Sequence, residues 1–159
     1  MSPRTSPPKL SVVVPFRNAE AHLAACLESL ARQTMRSLEV LMVDDGSSDA
    51  GPVIAKEFAG RDDRFTLMQP SGGMTAGNTG VRQANGRFLA IVDGKDAVPP
   101  YAYEMMVASL ESSGSDFVGG NVMCLDGTQV RQSPLHSVPY AMTMKATDAT
   151  RHPALLQDR

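Results

Sequence analysis

Apolar positions along this chain come in two alternating patterns. Residues 10–14, 40–43, 65–68 and 88–92 form short apolar or β-branched runs, interrupted only at Ser11, and each ends in polar, proline- or glycine-rich residues. Between these runs the apolar side chains recur every three or four residues: Leu23, Cys26, Leu27 and Leu30; Val53, Ile54 and Phe58; Val81 and Ala84; Met105, Met106 and Leu110. The pattern predicts four strands, the one over 40–43 buried, each followed by a helix, with the first strand stopping at Pro15 and the first helix capped by Asn18. A second helix opens near Asp49 and accepts Pro52 in its first turn, where a missing N–H costs nothing. The fourth helix is expected over 98–110, with a short strand near 116–118 after it. Strands alternating with helices in this way define an α/β fold of three layers around a mainly parallel sheet.

Residues 121–125 and 128–131 read as a hairpin around Asp126-Gly127, a favoured two-residue turn. Beyond Ser133 the periodicity fades, leaving a weak apolar cluster at Ala154, Leu155 and Leu156. At the other end, Pro3, Pro7 and Pro8 make residues 1–9 an extended or flexible arm.

Composition narrows the partners. The chain has 159 residues, enough for one hydrophobic core, and a formal net charge of −2 with its Lys and Arg scattered, so no nucleic-acid partner is expected. There is no apolar run long enough to span a bilayer, and no apolar stretch before Leu10 that reads as a secretory signal, so the expected compartment is cytoplasmic. Cys26 and Cys124 sit in no ligand-spaced cluster and read as small buried apolar residues. His22 is expected on a helix surface.

The candidate chemistry lies where the runs end. Val43 is followed by Asp44-Asp45-Gly46, and Val92 by Asp93-Gly94-Lys95-Asp96, while Gly72, Gly73, Gly77 and Gly80 punctuate the stretch after the third run. In an open parallel sheet, ligands bind beyond the carboxyl ends of the strands, so these loops gather at one edge. An arginine, several carboxylates and glycine-rich backbone there suit a nucleotide or nucleotide-linked ligand. The glycine stretch lacks both the Gly-Lys-Ser/Thr ending of a triphosphatase loop and the dinucleotide spacing, and no Ser-His-Asp, Cys-His or HExxH arrangement is present. A solvent-facing loop edge in a structural or protein-binding fold is the plain alternative.

The ordered set SVVVPFRNAEAHLAACLESLARQT, LEVLMVDDGSSD, GGMTAGNTG and ANGRFLAIVDGKD, followed by Pro99-Pro100, resembles the N-terminal half of the inverting glycosyltransferase family 2 over about residues 10 to 120. That resemblance implies a Rossmann-like GT-A fold, with a nucleotide-binding domain over 10–132 and an incomplete C-terminal segment over 133–159. It also implies a nucleotide-diphospho-sugar donor, with Pro15 and Arg17 bordering the base, Glu20 at its rim, and Asp44 with Asp45 at the base edge. Gly73, Asn78, Asp93 and Lys95 would face the ribose and diphosphate. The family reaction displaces the nucleoside diphosphate at the anomeric carbon by an acceptor hydroxyl, with Mg2+ or Mn2+ on the leaving group and a carboxylate base from the C-terminal half. Here Asp93 and Asp96 would hold the metal, because Lys95 stands where the family's second aspartate is usual. Two further departures are Arg17, where an aromatic residue is usual, and Gly77 before Asn78, where arginine is usual. No motif singles out a base among Asp126, Asp148 and Asp158. The alternatives to transfer are a catalytically inactive nucleotide-sugar-binding module, and an interaction protein whose missing half is replaced by another chain or a homodimer partner.

Overall fold

The computed structural model describes residues 6–120, and the backbone of three strands beyond them. The chain divides into two compact units, Met1–Ala102 and Tyr103–Arg159. In the first, β1 (Leu10–Phe16), β2 (Leu38–Asp44), β3 (Phe65–Met68) and β4 (Phe88–Ile91) form a four-stranded sheet in the order β3-β2-β1-β4. Every pairing is parallel. Chain order therefore runs outward from β1 to β3 and then returns to the other side of β1 for β4.

The two inner strands are buried almost throughout, which is why their sequences are continuous apolar runs rather than alternating ones. Val13, Leu41 and Val43 turn to one face and pack with Ala76 of α3 (Ala76–Gln83), alongside Met68 and Ala84. α1 (Glu20–Ala31) and α2 (Gly51–Arg61) pack together over the opposite face. There Phe16 lies against Gly51, and Leu23 lies close to Gly94. Two helices on one side and one on the other make the expected three layers.

The predicted inner face of α1 is observed: Leu23, Cys26, Leu27 and Leu30 are all buried, and His22 is exposed. β3 occupies the predicted residues. Other expectations change. β1 does not stop at Pro15, because the proline forfeits only its own N–H while its carbonyl still accepts from the Gly94 N–H at 3.3 Å. Helix α2 begins at Gly51, and this phase turns Gly51, Ala55 and Phe58 inward, leaving Val53 60% exposed. Helix α3 packs through its small residues Ala76, Thr79 and Gly80, so Val81 faces outward. A side chain at Gly80 would overlap Val13, so its bareness sets how closely α3 approaches β1.

At the amino ends of the strands a buried polar cluster replaces apolar packing. The Ser11 hydroxyl donates to Glu39 Oε1 at 2.6 Å, the Asn85 N–H donates to the same oxygen at 2.7 Å, and the Gly86 N–H donates to Ser11 Oγ at 2.7 Å. This cluster fastens the turn before β4 under the sheet and so fixes β4 beside β1.

The second unit starts within α4 (Ala102–Ser113), four residues later than predicted, with Tyr103, Val107 and Leu110 buried and Met105 60% exposed. β5 (Phe117–Gly119) pairs antiparallel with β8 (Met142–Met144). β6 (Met123–Asp126) pairs antiparallel with β7 (Gln129–Gln132) through Asp126↔Gln129, so Asp126 ends a strand instead of opening the turn. Gly127 and Thr128, residues 1–5 of the arm, Asp148, Asp158, and the 154–156 cluster lie outside the described residues.

Candidate functional site

Three loops meet at the carboxyl edge of the sheet. Because β1 lies between β2 and β4, Asp44 at the end of β2 and Asp93 just past β4 flank the exit of β1 at Phe16. This is where the strand order reverses, the place at which open α/β sheets form their ligand crevice.

Asp44 is 5% exposed, and its Oδ1 accepts the Ser47 N–H at 2.9 Å. Asp45 is exposed, with its N–H donating to the Phe16 carbonyl at 2.9 Å. Gly46 then adopts φ +77, a turn that only a residue free of Cβ crowding takes readily. Pro15 is half-buried and Arg17 is exposed. Asn18 is not the helix cap predicted for it. The capping position belongs to Ala19, which contributes no side-chain bond, while Asn18 takes a left-handed φ of 48. That backbone turns its side chain toward the second loop, where Oδ1 accepts the Ser48 N–H at 2.9 Å, and the Asn18 N–H donates to Ser47 Oγ at 3.0 Å. Glu20 reaches the same loop: its Oε2 accepts the Ala50 N–H at 3.1 Å. Asp49 returns the contact, accepting the Glu20 N–H at 2.8 Å and the Gly51 N–H at 2.9 Å.

On the other flank, Asp93 Oδ1 accepts the Lys95 N–H at 3.0 Å, and the Asp93 carbonyl accepts the Asp96 N–H at 2.9 Å. This tight turn leaves Asp93, Lys95 and Asp96 exposed. Among the described residues no hydrogen bond or ion pair engages the side chains of Arg17, Asp45, Lys95 or Asp96. The turn is anchored from behind by Cys26 and Ser29 of α1 and by Gln33 just past the helix end, at i, i+3, i+7 spacing. Cys26 Sγ donates to the Asp93 carbonyl at 3.6 Å, Ser29 Oγ accepts the Val98 N–H at 3.1 Å, and Gln33 Nε2 donates to the Pro99 carbonyl at 2.7 Å. Burial, reinforced by Asp96 and Asp93, pushes the Cys26 thiol from its ordinary value of 9.0 up to about 12, so it remains a protonated donor.

Gly73 and Asn78 follow β3, on the far side of β2 from β1. Gly73 has φ +73 in an exposed turn, and Asn78 is exposed on the first turn of α3, where its N–H donates to the capping Thr75 Oγ1 at 3.3 Å. The structure thus gathers Pro15, Arg17, Asp44, Asp45, Asp93, Lys95 and Asp96 around the end of β1, sets Gly73 and Asn78 to one side, and commits Glu20 to backbone contacts. Ser47, Ser48 and Asp49, and the Cys26-Ser29-Gln33 stripe, were missed as site-building residues. The spacing of that stripe was the available signal.

A recess of about 690 Å3, lined by residues including Lys9, Ser37, Asn85 and Arg87, lies at the opposite, amino edge of the sheet. Its walls are the segments entering β1, β2 and β4, away from the carboxylate loops. Among the described residues no three His, Cys, Asp or Glu side chains gather as a metal-binding group, and no helix is long and apolar enough to cross a membrane.

A parallel sheet whose strand order reverses beside a set of carboxylate-bearing loops is the architecture of the open α/β proteins. The sequence pattern of Glycosyl transferase family 2 matches residues 11–154, and the chain belongs to that family. Among its relatives, the uncharacterized glycosyltransferase EpsJ of Bacillus subtilis is 36% identical over 114 residues, covering 70% of this chain and 33% of EpsJ. The putative glycosyltransferase EpsH of the same organism is 41% identical over 102 residues, covering 63% of this chain and 30% of EpsH. The structure of Staphylococcus aureus TarS 1-349 in complex with UDP-GlcNAc matches with a TM-score of 0.67 at 30% identity, over 79% of this chain and 37% of TarS 1-349. The fold is accordingly GT-A, as the resemblance implied. The chain spans about a third of the length of these relatives.

Proposed function

We propose that this chain forms the donor-binding part of a glycosyltransferase that moves a sugar from a nucleoside diphosphate to an acceptor hydroxyl with inversion. The observation that carries the reading is the pairing of flanks around β1: a nearly buried carboxylate, Asp44, on one side, and the exposed Asp93-Lys95-Asp96 turn on the other. Asp44 has one oxygen fixed by Ser47, and its Oδ2 makes no hydrogen bond among the described residues, which suits it to accept from an N–H on a base edge. Arg17 offers a guanidinium plane for stacking on the base, beside Pro15 and Asp45. Lys95 supplies positive charge toward the diphosphate, with Gly73 and Asn78 at the outer rim. Support for a nucleotide-sugar ligand comes from TarS, solved with UDP-GlcNAc, and from the Pyrobaculum calidifontis mannosyltransferase PcManGT, solved with GDP-Man and Mn2+, which matches at 26% identity and a TM-score of 0.55 over 77% of this chain.

A divalent cation fits this donor set in one way. Asp93 and Asp96 are two exposed carboxylates in one turn, and Mg2+ or Mn2+ is commonly held by one or two carboxylates together with substrate phosphates. When bound, such an ion offsets the charge that develops on the departing diphosphate. The chain's own contribution is to hold base and diphosphate on opposite sides of β1, so that the anomeric carbon is presented at a fixed place to the acceptor.

Calorimetry with UDP, GDP and TDP sugars in the presence of Mn2+ tests the reading. Saturable binding of one of them, lost in Asp44→Ala, is expected, and no heat with any of the three at millimolar concentration overturns it. A binding-only role has one supporting observation: the matched segment is about a third of each relative, so acceptor and base groups need not lie within it. In that case acceptor chemistry falls to a further segment or to a second copy of the chain, and binding occurs without donor turnover.

A further inference from the structure

The capping residues of α1 and α2 supply no acceptor to their helices. Ala19 and Ala50 occupy the two capping positions, and neither makes a side-chain bond. Alanine there is among the poorer choices, and an uncapped helix start leaves its first N–H groups without partners. Asp49 and Glu20 supply acceptors instead, each reaching across to the other loop, and Asp49 also serves the helix it precedes. Asp49, which precedes α2, accepts the first N–H of α1 at Glu20, and its second oxygen accepts the first N–H of α2 at Gly51. Glu20, the first residue of α1, accepts the N–H of Ala50 at the start of α2. Both carboxylates also sit at the positive ends of helix dipoles. Asn18 completes the exchange through Ser47 and Ser48.

We propose that Asp49 and Glu20 are positioning residues: their reciprocal capping fixes the loop that bears Arg17 against the loop that bears Asp44, and so sets the width of the base pocket. Neither carboxylate then needs to touch the nucleotide. The inference rests on the nucleotide-sugar reading for the identity of the ligand, but the coupling of the two loops is measurable without any ligand. It assigns Glu20 a different task from lining the rim of the base. It also explains how two helices with alanine caps start at defined residues.

The test compares Asp49→Ala, Asp49→Asn and Ser11→Ala in the full chain. Ser11 lies in the buried cluster at the amino edge and serves as a control for general destabilisation. UDP and GDP affinities are measured by calorimetry with Mn2+, and amide hydrogen exchange is followed in the absence of nucleotide. The expected result is that Asp49→Ala weakens nucleotide binding about tenfold, the equivalent of roughly 1.4 kcal/mol. Asp49→Asn, whose amide oxygen still accepts an N–H, recovers part of that loss, whereas Ser11→Ala lowers thermal stability and leaves affinity unchanged. Exchange in Asp49→Ala should accelerate at Glu20, Ala50 and Gly51 while the β3 amides keep their protection. Wild-type affinity in Asp49→Ala, equal weakening by Ser11→Ala, or exchange that accelerates across the whole sheet would each overturn the proposal. If the wild-type chain binds neither nucleotide, the ligand reading fails, and the exchange pattern alone decides whether the caps couple the loops.

Discussion

The two edges of the sheet handle polar groups in opposite ways. At the amino edge Ser11 and Glu39 are buried, and Glu39 Oε1 and Ser11 Oγ are saturated by short hydrogen bonds to each other and to the Asn85-Gly86 turn. At the carboxyl edge Arg17, Asp45, Lys95 and Asp96 project into solvent, while the backbone beneath them is tied down by Asn18, Glu20, Asp49, Cys26, Ser29 and Gln33. A buried polar group must find its partner within the protein, or it costs about 1–3 kcal/mol. An exposed one keeps its lone pairs or protons available for a ligand. The contrast teaches that the amino edge spends its polar groups on the fold, whereas at the carboxyl edge rigidity is placed in backbone contacts and the side chains above them stay exposed.

The largest expected effect tests the structural edge. A Cβ at Gly86 would lie 2.5 Å from the Ser11 nitrogen and 2.7 Å from the Leu10 carbonyl carbon, backbone atoms that cannot move aside without breaking β1. Gly86→Ala should therefore cost about 3 kcal/mol in denaturant unfolding, at the upper end of overpacking effects. Glu39→Ala comes next. It strands the Asn85 N–H and the Ser11 hydroxyl, with an expected loss of about 2 kcal/mol and no change in nucleotide affinity. A drop in affinity in that variant would break the division between edges.

Asp44→Asn sharpens the contrast from the other side. The amide oxygen still accepts from Ser47, so stability should stay within about 0.5 kcal/mol by thermal melt, while calorimetry should register about tenfold weaker nucleotide binding, roughly 1.4 kcal/mol. The smallest effect belongs to Cys26. Its folded-state value is raised to about 12 from 9.0, so the unfolded chain releases this proton first, and the thiol's contribution to stability is complete below pH 9 and declines as pH climbs toward 12. Denaturation at pH 8 and pH 10 should show wild type losing about 1 kcal/mol more than Cys26→Ala; identical pH slopes would contradict it.

Much of this arrangement was legible in the sequence. The runs at 10–14 and 40–43 announce buried parallel strands because both faces of those strands are covered, the run at 65–68 announces a strand that proves to be a half-covered edge, and Asp44 and Asp93 follow where the runs end. The inner stripe of α1 was readable because its large residues decide the packing. Where small residues decide, the pattern misled: Gly51 and Gly80 carry no apolar signal, yet they set the phase of α2 and α3 and turn Val53 and Val81 outward. Asn18 misled for a related reason. An asparagine before a helix reads as its cap, but a left-handed backbone sends the same oxygen to a neighbouring loop, and that choice depends on Ser48 thirty residues away. The exchange between Glu20 and Asp49 is likewise a contact between segments that local periodicity does not join.

Cys26 has a use beyond its hydrogen bond. At 1% exposure and tucked behind the Asp93 carbonyl, its sulfur meets a reagent only when α1 and the Asp93 turn part. In a Cys124→Ser background the rate of maleimide labelling becomes a clock that counts those partings one at a time. A ligand that braces the turn slows the clock, so occupancy of the crevice can be timed through a residue that never touches the occupant.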